Sequence, residues 1–288
     1  MGSGLKLAKR VVVSVGVGVV AILAFLDISI RSIENRFIYF PPQHSTGIDL
    51  AAQYGSGAEE VWLTAADGVK LNALYLPHPP SRKVILWFHG NAEDLSTAAG
   101  GLKVYSALGA NLLAVDYRGY GKSEGSPSEE GLYRDAAAAY DYLVQQRHLQ
   151  PEDIILLGHS LGGVVAIDLA SRRPCGGLIV ESSLTTAREM ARRILRIPLL
   201  GYTLRTRFDS LSKIARVRAP VLIVHGTRDD MIPFSMGRRL FENASQPKSF
   251  YAVEGAGHND LLEVAGERYL ERLRDFINFE SPGRGGRS

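Results

Sequence analysis

The chain has 288 residues, of which 45% are hydrophobic and 22% charged, with 33 Lys and Arg against 30 Asp and Glu. This is ordinary globular usage, so a disordered, collagenous or many-pass membrane chain is excluded, and a net charge of +3 is too small for a nucleic-acid footprint. The single cysteine, Cys175, excludes an intramolecular disulfide and a multi-cysteine zinc site, and the length fits one large α/β domain with an appendage.

Residues 1–10 form a short basic tail. Residues 11–30 carry one charge, Asp27, and a helix of that length rises far enough, at about 1.5 Å per residue, to cross a hydrocarbon layer of about 30 Å. One transmembrane anchor is expected there. Ser14, Gly16, Gly18 and Asp27 are scattered rather than striped along one face, unlike a buried core helix, and Ala21 and Ala24 lie one residue too far apart for a signal-peptide cleavage site. Lys6, Lys9 and Arg10 precede the span and Arg31 and Arg36 follow it, which places the N-terminus in the cytoplasm and the bulk of the chain outside. Residues 31–58 read as a juxtamembrane linker, with Phe37, Tyr39 and Phe40 as an interfacial belt and Pro41-Pro42 as a stiff tether.

The body spans residues 59–280. Between Glu60 and Leu76, two β-rich runs flank the turn Ala66-Asp67-Gly68 and predict an antiparallel hairpin. Short, uniformly apolar runs then recur at 84–88, 111–115, 154–157, 178–180, 221–224 and 250–253, the pattern of parallel strands buried on both faces, with helical stretches between most of them. The clearest helix opens at Ser126-Pro127-Ser128-Glu129, where Ser126 is the expected cap, Pro127 suits the first helical position and Glu129 completes a capping box. Such alternation implies crossover units on both faces of one sheet. Residues 185–218 are too long for a plain connection and predict a helical cap. Its apolar side holds Met190, Ile194, Leu195, Leu199 and Leu200, and its basic side Arg188, Arg192, Arg193, Arg196, Arg205 and Arg207. Residues 281–288, rich in Gly and Arg, read as a disordered tail.

Gly158-His159-Ser160-Leu161-Gly162 follows one apolar run and precedes a helical pattern. Glycines two residues either side of a serine allow the sharp strand-to-helix turn that lifts its hydroxyl above a sheet. A hydroxyl is a weak nucleophile and needs a base, which in turn needs an acid to hold its tautomer. Asp229 follows the run 221–224, and His258, in Gly255-Ala256-Gly257-His258, follows the run 250–253. Asp230 and Glu181 are the rival acids. His159 is expected to point away from the serine hydroxyl, and His44, His78 and His148 to lie at the surface. Two oxyanion donors are needed, and the backbone N–H groups of Leu161 and of Asn91, in His89-Gly90-Asn91-Ala92, are the candidates. Asp116-Tyr117-Arg118-Gly119-Tyr120-Gly121 reads as a structural turn, not a metal site.

The elements FHGNAEDL, DYRGYGKSEG, LLGHSLGG, ESSLT, LIVHGTRDDMIPF and GAGHND together resemble the α/β-hydrolase superfamily over residues 60–277, and its membrane-anchored branch of depalmitoylases and related lipid esterases. The resemblance implies an α/β-hydrolase fold: a mostly parallel, doubly wound sheet with an antiparallel N-terminal hairpin and a small helical cap, preceded by one transmembrane helix. It also implies Ser160 as nucleophile, His258 as base, Asp229 as acid and Asn91 with Leu161 as oxyanion hole, without cofactor or metal. The expected activity is hydrolysis of acyl or lipid esters or thioesters at a bilayer. A peptidase, an acyl-protein thioesterase and a non-catalytic binding protein are the alternatives. The chain lacks the cysteine-rich N-terminus of the intracellular depalmitoylases, which favours a lipid or small-ester substrate. The sequence carries no signal for oligomeric state.

Overall fold

The computed structural model describes residues 34–42, 49–54, 57–79, 81–195 and 204–279. The chain divides into two compact units, Met1–Phe40 and Pro41–Ser288. In the first, residues 34–38 are helical, and Phe37 and Phe40 are exposed. The expected anchor at 11–30, His44, Arg196 with Leu199 and Leu200 of the cap, and the tail at 281–288 lie outside the described residues. Among the described residues, no helix is long and apolar enough to cross a membrane.

The second unit begins with a short helix, α1 (Leu50–Tyr54), inside the stretch read as linker. Its sheet has eight strands: β1 (Glu59–Thr64), β2 (Lys70–Leu76), β3 (Val84–Phe88), β4 (Asn111–Val115), β5 (Ile154–His159), β6 (Gly177–Glu181), β7 (Val221–Gly226) and β8 (Lys248–Val253). Their order is β1-β2-β4-β3-β5-β6-β7-β8. The hairpin β1–β2 and the pairing of β2 with β4 are antiparallel, and every later pairing is parallel. Gly68 N–H closes the hairpin turn on Ala65 O, and the Asp67 carboxylate at its tip is gripped by both Nη atoms of Arg118 at 2.8 and 3.0 Å.

Strands β3, β4, β6 and β7 are buried along their whole length because helices cover both faces of the sheet. Side chains alternate between the faces, so Ile85 and Trp87, Ile155 and Leu157, and Ile179 pack under α2 (Ala99–Ser106), α8 (Leu261–Ala265) and α9 (Glu267–Asn278). The other face carries α3 (Glu129–Asp141), α4 (Leu161–Ala170) and α7 (Phe234–Asn243). Helix α4 is buried at all ten positions, wedged between the sheet, α3 and α6 (Ser210–Ile214).

The start of α3 corrects the expected cap. Ser128, not Ser126, is the N-cap: its backbone is extended and its Oγ accepts from Gly131 N–H at 3.2 Å. Pro127 packs on Gly119 instead of opening the helix. Glu129 serves the insertion, accepting from the backbone N–H groups of Arg207 (2.7 Å) and Phe208 (3.0 Å). The insertion lies between β6 and β7 and contains α5 (Ala187–Leu195) and α6. Ala187 N–H donates to Arg207 O, Glu189 pairs with Arg239 of α7, and Arg193 donates to Asp230 O at 3.1 Å. Arg188, Arg192, Arg193, Arg205 and Arg207 are exposed.

Candidate active site

Ser160 sits between β5 and α4 with φ 55° and ψ −114°, a conformation costing a non-glycine residue on the order of 1–3 kcal/mol. The neighbouring glycines make the turn possible. A Cβ on Gly158 would lie 2.1 Å from Gly162 O, and one on Gly162 would lie 2.0 Å from Phe88 O, so strand and helix can approach this closely only without side chains. The end of β6 braces the turn from the other side. Ser160 N–H donates to Glu181 O at 2.9 Å, and Ser183 Oγ donates to Ser160 O at 2.8 Å. Ser183 belongs to the ESSLT element, yet nothing in the sequence pointed to its bracing role.

The loops after β7 and β8 bring Asp229 and His258 together: His258 Nδ1 lies 2.8 Å from Asp229 Oδ2, and both residues are buried. The other carboxylate oxygen, Oδ1, accepts from Met231 N–H (3.0 Å) and Ile232 N–H (2.8 Å). His225 Nε2 lies 2.9 Å from Ile232 O and 3.3 Å from Asp229 Oδ2, so it carries the proton and shares it with the carboxylate. Burial alone would push the Asp229 carboxyl up, but hydrogen bonds from His225 and His258 outweigh it and hold the group well below the usual carboxylate range. Asp230 is exposed, and Glu181 is occupied by two tyrosines, so neither rival acid meets His258 in this way.

His159 has a partner of its own. Its Nε2 lies 3.0 Å from His258 O and the two rings are 5.0 Å apart, so the residue beside the serine ties the elbow to the histidine loop. Burial lowers its pKa, which keeps the ring neutral with Nε2–H as the donor.

The loop after β3 carries Asn91, and α4 starts at Leu161, so the two expected oxyanion donors lie on adjacent strand ends. The motif at 116–121 braces that loop. Leu95 N–H donates to Asp116 Oδ1 (2.9 Å), Tyr117 OH to His89 O (3.0 Å) and Tyr120 OH to Asn91 Oδ1 (2.8 Å). Tyr120→Phe removes the hydroxyl and keeps the ring. With a neutral hydrogen bond worth about 1 kcal/mol net, kcat for ester hydrolysis is expected to fall roughly fivefold at nearly constant KM in steady-state assays. Among the described residues, no cluster of His, Cys, Asp or Glu could hold a metal ion.

The chain is 37% identical over 267 residues to an uncharacterized protein of Mycobacterium tuberculosis, covering 90% of this chain and 94% of that one. It is 41% identical over 205 residues to alpha/beta hydrolase domain-containing protein 17C of Mus musculus, covering 71% of this chain and 62% of that one. This chain belongs to the α/β-hydrolase superfamily. Residues 79–211 match the family Hydrolase_4, described as serine aminopeptidase, S33, a stretch that includes Ser160 and ends before Asp229 and His258. Among solved structures, the Pyrococcus furiosus esterase Pf2001 superposes with a TM-score of 0.69 at 20% identity, over 83% of this chain and 96% of that one. An esterase of Exiguobacterium antarcticum gives 0.58 at 20% identity, over 77% and 100%.

In this α/β hydrolase, alternation along β6 puts Glu181 on the same face as Ile179, under α2 and α9. Tyr269 OH donates to Glu181 Oε1 (2.6 Å) and Tyr105 OH to Oε2 (2.8 Å). Burial nevertheless pushes the carboxyl up to about 7. The folded protein therefore holds this proton more tightly than the unfolded chain, so stability falls as pH rises from about 4.5 through about 7 and is level above. Denaturant titrations should show wild type losing on the order of 3 kcal/mol relative to Glu181→Gln between pH 4.5 and 8.

Proposed function

We propose that Ser160, His258 and Asp229 form a catalytic triad that hydrolyses carboxylic esters or thioesters through an acyl-enzyme. The observation that carries this reading is the 2.8 Å contact between His258 Nδ1 and a doubly anchored Asp229 carboxylate, on a loop that His159 ties to the strained elbow of Ser160. With Nδ1–H donated to Asp229, Nε2 of His258 is left as the base. It removes the Ser160 proton as Oγ attacks the acyl carbon, and the oxyanion collects N–H donors from Leu161 and Asn91, each worth on the order of 10²–10³ in rate. The C–O or C–S bond then breaks, the leaving group takes the proton from His258, and water repeats the sequence on the acyl-enzyme.

The test is fluorophosphonate labelling followed by peptide mapping, together with kinetics on ester and thioester pairs of two to sixteen acyl carbons. Label on Ser160 and turnover of either series supports the reading; label elsewhere removes it. The family description favours a second reading, an aminopeptidase, because the same triad cleaves amides. Faster cleavage of aminoacyl anilides than of p-nitrophenyl esters would establish that one instead.

The reading extends to a membrane-anchored enzyme with an extracytoplasmic catalytic body and a lipid or acyl ester as substrate. Its support is the apolar stretch 11–30, the exposed Phe37 and Phe40 beyond it, and the exposed arginines of the insertion, each worth about 1 kcal/mol near an anionic surface. Release of the full chain from membranes by alkaline carbonate, or its exposure to protease only on the cytoplasmic side, would refute this extension.

A further inference from the structure

Asp229 lies on the loop between β7 and α7, and backbone bonds fix where that loop runs. Thr227 N–H donates to Val253 O (3.0 Å) and Arg228 N–H to Ala256 O (2.8 Å), and a Cβ on Gly226 would lie only 2.3 Å from Gly257 O, so the loops after β7 and β8 are laced together. Backbone pairing leaves one thing open, the rotation of the Asp229 carboxylate about its own side-chain bonds. The proposed triad depends on it, because a carboxylate turned away from Nδ1 no longer selects the His258 tautomer with a free Nε2.

His225, near the end of β7, is fully buried, and its Nδ1 has no hydrogen-bond partner among the described residues. An apolar ring would fill the same space without stranding a polar atom, so packing alone does not explain a histidine here. Helix α7 nevertheless makes room for it: a Cβ on Gly237 would lie 2.4 Å from Nδ1, so a poor helix former stands in the helix where the ring sits. What the histidine supplies is Nε2–H, shared between Ile232 O at 2.9 Å and Asp229 Oδ2 at 3.3 Å. The two acceptors belong to one arrangement, since Ile232 N–H itself holds Asp229 Oδ1 at 2.8 Å. A single donor thus steadies Oδ2 directly and Oδ1 through the residue that grips it. Charge-assisted bonds of this kind are about twice as strong as neutral ones.

We infer that His225 is a positioning residue of the active site: its Nε2–H holds the Asp229 carboxylate in the rotation that His258 Nδ1 requires, and Gly237 of α7 keeps the space its ring needs. The inference rests on the triad reading above and deepens it. His225 acts only through Asp229, so its contribution should exist only while a carboxylate stands at that position.

The experiment is steady-state hydrolysis of p-nitrophenyl butyrate by variants of the full chain. His225→Phe keeps a ring and removes the donor, and should lower kcat by about tenfold with KM changed less than about twofold. His225→Gln, whose side-chain NH₂ can serve both acceptors, should keep at least about a third of the wild-type kcat. Gly237→Ala is a better helix former, yet it drives a Cβ into the ring and should lower kcat severalfold. The deciding comparison is with Asp229→Asn. In that background His225→Phe should change kcat by less than about twofold, whereas a ring that only supports the fold would cost the same factor in either background. Wild-type kcat in His225→Phe, a Gln variant as slow as the Phe variant, or losses that multiply across the two positions would overturn the inference and leave the triad reading intact. If His225→Phe does not fold, Gly237→Ala with and without Asp229→Asn decides by the same comparison. Asp229→Asn with wild-type kcat would overturn the triad reading and this inference with it.

Discussion

Ser160→Ala is expected to lower kcat for ester hydrolysis by about 10⁶ and to abolish fluorophosphonate labelling, because the acyl-enzyme cannot form without Oγ. The fold should survive. The left-handed backbone at this position is imposed by its surroundings: the close approach of Gly158 to Gly162, the Ser160 N–H bond to Glu181 O and the Ser183 hydroxyl on Ser160 O. None of these uses the serine side chain, and alanine at φ 55° is strained about as much as serine. A melting temperature within a few degrees of wild type, with activity gone, is the expected pair of results. Residual turnover above a few per cent would place the nucleophile elsewhere.

The strands were legible because a parallel strand covered on both faces must be apolar throughout, and β3 and β4 match the runs 84–88 and 111–115 residue for residue. Strands β5 and β7 continue past their apolar runs to His159 and Gly226, since backbone pairing does not stop where hydrophobicity does. Strand β8 is only partly buried because it closes the edge of the sheet. At the candidate site, the placement of Ser160, Asp229 and His258 after strand ends was legible because each lies in a short glycine-containing segment, and the structure brings Asp229 to His258. Their supports were hidden. Tyr120 reaches Asn91 across 29 positions, Tyr269 reaches Glu181 across 88, and Glu129 holds the return of the insertion from 78 positions away. Periodicity reports which face a residue occupies, not which distant partner meets it there, so side-chain bonds between elements had no local signal. The cap of α3 was misplaced for a related reason: Ser126 and Ser128 both fit the local pattern, and the packing of Pro127 on Gly119 decides between them.

The ranking of the two adjacent aspartates is the second large expected effect: Asp229→Asn should cost about 10⁴ in kcat, and Asp230→Asn less than about threefold. The hydrogen bonds explain the size of the difference. Oδ1 of Asp229 is pinned by two backbone N–H groups, from Met231 and Ile232, so the substituted amide must keep its oxygen there. Its NH₂ then occupies the place of Oδ2, facing His258 Nδ1 and the Nε2–H of His225. A donor in that place forces the His258 proton from Nδ1 to Nε2, the nitrogen that accepts the proton of Ser160 in the proposed triad, and it collides with a second donor from His225. Asp230 contributes its carbonyl, not its carboxylate, to the contact with Arg193, and its side chain is exposed. Steady-state kinetics on the two variants separate the roles, and a larger loss from Asp230→Asn would transfer the acid's role to that residue. Since Asp229 stays ionised far below neutral pH, its loss should be equally severe at every pH where the enzyme is folded, rather than rescued by raising the pH.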